Sequence, residues 1–314
     1  MKFPGNKSLY RGFPRWDFEV AGVPAIVVAP PKADAQRNWI WRAEFWDHEP
    51  GVDLGLLANG FHLVHLQVGN TFGCPAALQK WDEFYPLLTK QFGFAREVAL
   101  EGVSRGGLYC YNWAACNPDK VSCIYGDNPV CDFKSWPGGK GVGPGSAADW
   151  EKLIADYQFT SEAEALQWPL NPVDNLAPLA QAGIPVIHVC GDADEIVPYS
   201  ENSGVLASRY RALGGNYQEI IKPGGKHHPH GLKDPTPVVD FILRASRHEP
   251  TLCKGSRKSR NLSSPGAKIS KSKPTVSRSS VSRQPVPARR AKASGAKRKG
   301  RLGMPQSALK KGIT

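Results

Sequence analysis

The chain has 314 residues and a formal net charge of +12, but residues 251–314 carry 18 Lys and Arg with no Asp or Glu. That leaves 22 basic and 28 acidic residues in 1–250, about −6, so the basic balance describes the tail and not the body of the chain. The tail is rich in Ser, Pro, Lys and Arg and has no aromatic residue, so it cannot bury enough apolar surface to fold; disorder is expected over 251–314.

Taken in chain order, Asp17 to Val20 and Ala25 to Val28 read as an opening hairpin, and Trp39-Ile40-Trp41-Arg42 as a third strand. Leu54 to Ala58 reads as a helix closed by Asn59-Gly60. Phe61 to Val68 is a strand, Gly69 to Pro75 a loop and Ala76 to Phe92 a helix. Val98 to Val103 is a strand, Leu108 to Cys116 a helix and Val121 to Tyr125 the next strand. Ile184 to Cys190 and Tyr217 to Ile221 are further strands, and Pro235 to Arg247 closes the last unit. Strands alternating with helices predict a mostly parallel sheet covered on both faces. Residues 133–182 are long for a plain crossover and read as a lid or substrate-shaping insertion, with a flexible Pro137 to Gly145 and a helix over Ala147 to Leu166.

The seven cysteines include no Cys-x-x-Cys. Those at 110, 116, 123, 131 and 190 fall on or beside predicted elements and read as small buried apolar residues rather than a disulfide framework. The first thirty residues show no signal-peptide pattern and no apolar run is long enough to span a bilayer, so a cytoplasmic location is the default expectation.

The stretch Gly102-Val103-Ser104-Arg105-Gly106 sits between strand and helix. A serine at such a turn takes a strained backbone conformation that lifts its hydroxyl clear of the sheet. Glycines on either side remove the β-carbons that would collide where strand and helix meet; Gly102 and Gly106 are the expected pair. The helix N-terminus then aims N–H groups at any developing oxyanion. An acid follows the 184–190 strand, where Asp194 is favoured over Asp132, and Asp192 is expected to shape the turn. A histidine follows the 217–221 strand in Lys226-His227-His228-Pro229-His230. The order Ser, Asp, His fits nucleophile, orienting acid and general base.

These motifs resemble the α/β-hydrolase superfamily. Gly-Val-Ser-Arg-Gly-Gly-Leu-Tyr, residues 127–139 and Lys-His-His-Pro-His-Gly-Leu are together similar to a bacterial branch related to prolyl-oligopeptidase-like hydrolases and associated with polysaccharide breakdown. The resemblance spans roughly residues 8–245 and implies an α/β-hydrolase domain over 1–250. It singles out His227 as the base, with His228 and His230 in orienting or packing roles. It also implies an ester on a carbohydrate, an acetyl group or a uronate methyl ester, and no cofactor. A prolyl-oligopeptidase-like peptidase is the rival enzyme, and no propeller-length region stands beside the domain to favour it. A non-catalytic polyanion-binding module is the rival from another class.

The oxyanion hole is expected from the backbone N–H of Arg105 and a second near Arg42. The side chains of Arg42 and Arg105 either bind substrate or pair with Glu44, Glu101 or Asp127. Trp41 and Trp136, with Trp39 and Trp168, are candidate sugar platforms or core residues. His-His-Pro-His has no carboxylate or cysteine ligand set nearby and Pro229 disrupts helical spacing, so no metal is expected. The runs Arg289-Arg290-Ala291-Lys292 and Lys297 to Arg301 either bind polyanions by counterion release or form a solvated tail.

Overall fold

The computed structural model describes residues 3–248. The tail at 251–314, its boundary and its polyanion binding therefore lie outside the described residues. A nine-stranded sheet runs β1 (Asn6–Tyr10), β2 (Phe13–Val20), β3 (Val23–Val28), β5 (His62–Leu66), β4 (Trp39–Arg42), β6 (Val98–Val103), β7 (Val121–Asp127), β8 (Val186–Gly191), β9 (Tyr217–Lys222) in spatial order. β1, β2, β3 and β5 pair antiparallel, and every pairing from β5 to β9 is parallel. This is the α/β-hydrolase arrangement expected from the sequence.

The parallel strands are apolar on both faces because helices cover both. α1 (Gly51–Ala58) and α8 (Thr236–Ser246) place Leu56, Leu57, Val238 and Ile242 against Ile40, Ala99 and Val189. α2 (Pro75–Pro86) and α3 (Gly106–Cys116) place Trp81, Phe84, Leu108 and Trp113 on the other face, against Trp41 and Leu100. A π-helical turn, Leu87–Gln91, continues α2. Each fully buried Leu, Val or Phe in these layers contributes about 1.5–3 kcal/mol.

Two departures from the expected elements have physical reasons. β1 adds an edge strand whose pattern of four exposed residues and one buried residue carries no core signal. The single helix expected over 147–166 is two, α4 (Ala147–Asp156) and α5 (Glu162–Leu166). Gln158 has a left-handed φ of 58° and Ser161 caps the second helix through Glu164 N–H, so the chain turns between them. α6 (Ala177–Gln181) precedes β8, and α7 (Ser203–Ala212) joins β8 to β9.

The insertion packs through Phe133, Tyr157, Phe159 and Trp168, whose ring centroids are 5.3–6.1 Å apart. Its glycine-rich part leans on the loop after β8: a β-carbon at Gly143 would lie 3.0 Å from Pro198 Cδ. Cys74, Cys110, Cys123, Cys131 and Cys190 are free and buried, and Cys116 is free and exposed. Among the described residues no helix is long and apolar enough to cross a membrane.

Candidate active site

The parallel strands end together, and the loops leaving β6, β7, β8 and β9 meet there. β6 turns into α3 within two residues, and Ser104 makes that turn at φ 49°. Non-glycine residues avoid this region, so the surroundings must hold it. They do: Ser104 N–H donates to the Asp127 carbonyl (2.9 Å), and the Ser104 carbonyl accepts from Val130 (2.8 Å) and Gly107 (3.0 Å). With its backbone pinned to the end of β7, the hydroxyl is left to face the neighbouring loops. A β-carbon at Gly102 would lie 2.9 Å from Gly107 N, and one at Gly107 2.6 Å from the Val130 carbonyl oxygen. At Gly106 a β-carbon would meet only ordinary contacts, the nearest at 3.6 Å. The steric need therefore falls on Gly102 and Gly107, not on Gly106.

Ser104 Oγ lies 3.0 Å from His227 Nε2, and His227 Nδ1 lies 2.7 Å from Asp194 Oδ2. All three residues are buried. Asp194 Oδ1 accepts the N–H groups of Ile196 and Val197, both at 2.9 Å. Those two bonds orient the carboxylate and leave Oδ2 for the imidazole. Asp192 Oδ1 accepts Gly224 N–H at 2.6 Å, tying the acid loop to the histidine loop as a turn-shaping residue. The two loops touch so closely that a β-carbon at Gly191 would lie 2.2 Å from the Gly225 carbonyl oxygen. Asp132, the rival acid, faces no histidine: its Oδ1 takes the Lys134 N–H at 2.9 Å, and burial raises its pKa.

Two residues beside this relay carry no motif of their own. Asn128 (φ 39°) donates from Nδ2 to the carbonyls of His227 (3.0 Å) and Lys226 (3.3 Å), and its Oδ1 accepts Gly191 N–H (2.8 Å). One amide thus links the ends of β7 and β8 to the histidine loop. Asp127 accepts from His230 Nδ1 (2.8 Å), Gly231 N–H (2.7 Å) and Tyr125 OH (2.8 Å). Burial works to raise its pKa, but the bonds from His230 and Tyr125 and the Lys222 charge hold it below the usual aspartate range. His230 thus has an acid partner of its own, and exposed His228 has none. Burial, then the charges of His230, His227 and His48, push His228 below the ordinary histidine pKa.

The arginines separate. The Arg42 side chain is 1% exposed and is spent on Asp53 (2.5 Å), Glu101 (3.1 Å) and the carbonyls of Glu44, Phe45 and His48. Burial would lower its pKa, but Asp53 and Glu101 raise it; Glu101 itself is pushed well up by burial and by Asp53. A guanidinium so enclosed cannot reach a ligand, which corrects its expected substrate role. The backbone expectation shifts as well. Arg42 is still a strand residue, in register with Glu101, and the chain bends towards α3 only afterwards. The missing Gly106 β-carbon would lie 3.8 Å from Glu44 N. Among the described residues the N–H groups of Glu44, Phe45 and Arg105 have no protein acceptor. Arg105 remains at the surface of the site. Its Nε donates to Glu44 (3.0 Å), its guanidinium sits 4.7 Å over the Phe45 ring, and its side chain is 21% exposed. Burial raises the Glu44 pKa, and Arg105 opposes that rise.

The tryptophans divide too. Trp41 is fully buried, stacked on Trp81 with centroids 4.1 Å apart, and Trp39 is buried with its Nε1 on the Ala95 carbonyl. Both are core residues of a strand covered on both faces, so Trp41 is not a sugar platform. Trp136 is half-buried, 6.1 Å from the Phe72 ring, and stays available. Trp168 borders a cavity of about 310 Å³ with Trp113 and Leu78.

Comparison with solved structures finds the same architecture in proteins of known structure. The chain is 14% identical to an acylaminoacyl peptidase of Pyrococcus horikoshii, with a TM-score of 0.57 over 73% of this chain and 41% of that one. A Mycobacterium tuberculosis puromycin-hydrolyzing peptidase gives 14% identity and a TM-score of 0.54, over 74% of this chain and 38% of that one. A truncated carbohydrate esterase from gut microbiota gives 16% identity and a TM-score of 0.56, over 71% of this chain and 90% of that one. The chain thus spans about two-fifths of the length of the two peptidases. No protein-family model matches it, and no curated protein matches it by sequence. The likeness carries the fold alone: the α/β-hydrolase fold is shared with these peptidases and with the carbohydrate esterase.

Proposed function

We propose that this protein is a serine hydrolase that cleaves an ester through an acyl-enzyme. The observation that carries the proposal is the continuous relay from Ser104 Oγ to His227 Nε2 (3.0 Å) and from His227 Nδ1 to Asp194 (2.7 Å). In this reading Ser104 Oγ attacks the ester carbonyl and passes its proton to His227 Nε2. The imidazolium then gives that proton to the departing alcohol. Water, deprotonated by the same nitrogen, releases the acid and restores the serine. Asp194 holds the ring in the tautomer with a proton on Nδ1 and stabilises its charged form. The Arg105 N–H, with that of Glu44 or Phe45, stabilises the tetrahedral oxyanion, an interaction worth about 3–4 kcal/mol per donor in well-studied hydrolases.

The substrate class we favour is a carbohydrate ester, an acetyl group or a uronate methyl ester. Two observations support it. The likeness to the carbohydrate esterase covers 90% of that truncated chain, against about two-fifths of each peptidase. The partly exposed Arg105 keeps guanidinium nitrogens beyond Nε for a carboxylate or sugar hydroxyl, and half-buried Trp136, within the 133–182 insertion, offers a flat face. The test is fluorophosphonate labelling followed by turnover on acetylated sugars, methyl uronates, aryl esters and N-acyl peptides. Labelling at Ser104 with turnover of the sugar esters is the expected result. Faster cleavage of the peptides would move the protein to the peptidase reading, and absence of labelling in folded protein would end the hydrolase proposal.

A further inference from the structure

Three imidazoles converge beside the relay although the sequence holds one of them far from the other two. His48 lies on the loop after β4; His228 and His230 lie on the loop after β9. Their ligating nitrogens all fall within 4.8 Å of one another. Ring centroids are 4.8 Å apart for His228 and His230, 5.6 Å for His48 and His230, and 6.1 Å for His48 and His228, each pair edge to face. We infer that His48, His228 and His230 form a binding site for one divalent transition-metal ion, zinc foremost.

The argument rests on how the third ring is held. His230 is buried, and its Nδ1 is bonded to Asp127 at 2.8 Å, which leaves Nε2 with its lone pair for a ligand. A carboxylate behind the imidazole is the arrangement that orients metal-bound histidines and raises their basicity. Asp127 is itself fixed by Tyr125 OH and Gly231 N–H. The other two residues are exposed. Zn–N bonds of about 2.0–2.1 Å in a tetrahedral site put ligand nitrogens about 3.4 Å apart. Closing from 4.8 Å therefore needs movements of about 1 Å, within the reach of two exposed side chains around one anchored ring.

Donor type sets the class of ion. Three neutral nitrogens suit zinc, copper, nickel or cobalt and not calcium or magnesium, which want oxygen. His228 and His230 line a cavity of about 570 Å³, open to water, together with Glu49, Lys222 and Lys226. Lys222 keeps its charge, but its Nζ is directed to the carbonyls of Pro229 (3.0 Å) and Gly231 (3.4 Å). The bound ion would clamp the loop after β4 to the loop that carries His227. The proposal does not depend on the ester reading, since its readouts are metal content and stability.

The test is calorimetric titration of the full chain with zinc after EDTA treatment and desalting, on the wild type, His48→Ala and His228→Ala. The wild type should take up one equivalent and gain thermal midpoint. Either substitution should weaken binding at least tenfold and remove that gain. Both changed residues are exposed, so the variants keep the core intact. Asp127→Asn should weaken zinc about 10–100-fold while the site's histidines remain. Cobalt in place of zinc should give the visible bands of a tetrahedral nitrogen-rich site, lost in His48→Ala. Zinc binding with equal affinity in wild type and His48→Ala, or none in the wild type below millimolar zinc, would overturn the inference whatever the esterase assays show.

Discussion

The loop after β9 carries two histidine–aspartate pairs, three residues apart, that look alike until their far sides are compared. His227 bonds Asp194 at 2.7 Å and His230 bonds Asp127 at 2.8 Å, each through Nδ1, and all four residues are buried. The acids stand at the ends of neighbouring parallel strands, Asp194 just past β8 and Asp127 closing β7. Only His227 meets a hydroxyl with its other nitrogen; the His230 ring stands instead beside those of His48 and His228. An acid behind an imidazole fixes its tautomer and direction, and the group in front decides whether it acts as a base or as a ligand.

The largest expected effect tests the first pair. Ser104→Ala and His227→Ala should each lower kcat on a good ester by about 10⁶, and the double variant should be no slower, because nucleophile and base act as a unit. Additive losses in the double variant would mean that the two residues do not share one step. Next comes the contrast between the acids. Asp194→Asn should cost about 10⁴ in kcat through the wrong tautomer. Asp127→Asn should leave kcat within about tenfold and instead destabilise the fold by about 1–3 kcal/mol, as a buried acceptor of three hydrogen bonds is disturbed. Chemical denaturation beside steady-state kinetics separates the two; reversed magnitudes would make His230 the base.

The comparison sharpens with histidines that have no carboxylate. His188 bonds Tyr111 OH (2.6 Å) and Ser203 Oγ (2.9 Å), and burial lowers its pKa to about 3. Burial likewise lowers His62 and His65 to about 4. Below the unfolded value of about 6.5 the unfolded chain takes these protons and the folded one does not. Their stabilisation is therefore complete above that pH and is lost as pH falls from about 6.5 towards 4, by up to about 1.4 kcal/mol per unit for each ring. Urea midpoints measured across that window should fall steadily and flatten in a His188→Gln variant relative to wild type. A midpoint that does not change from pH 6.5 to 4.5 would remove the argument. The smallest effect belongs to neither pair: cutting after Pro250 should leave turnover of a small neutral ester unchanged while shifting the formal charge from +12 to about −6. Loss of turnover on truncation would show that residues beyond 250 support the domain.

The relay was legible in the sequence because each member follows a strand that announces itself. Val98–Val103, Val186–Gly191 and Tyr217–Lys222 are short apolar or β-branched runs, and serine, acid and base come at their ends in the order the fold requires. What was not legible depends on contacts between loops. Asn128 and Asp127 sit at the end of a strand with nothing to mark them until their partners arrive from residues 191 and 226–231. His48 lies 180 residues from His228, so no spacing rule brings them together. The roles of Arg42 and Trp41 had a signal that went unused: a four-residue strand in the middle of a parallel sheet is covered on both faces, so all of Trp39–Arg42 must be interior.

The near-contact between Gly191 and Gly225 reaches beyond one molecule. At 2.2 Å, the obstacle to any side chain at 191 is a main-chain oxygen, which cannot swing aside as a long side chain can. A change in one loop is therefore survivable only if the other moves with it. In a lineage built on this design the acid loop and the base loop have to diverge in step, and the distance between acid and base becomes the slowest dimension to drift.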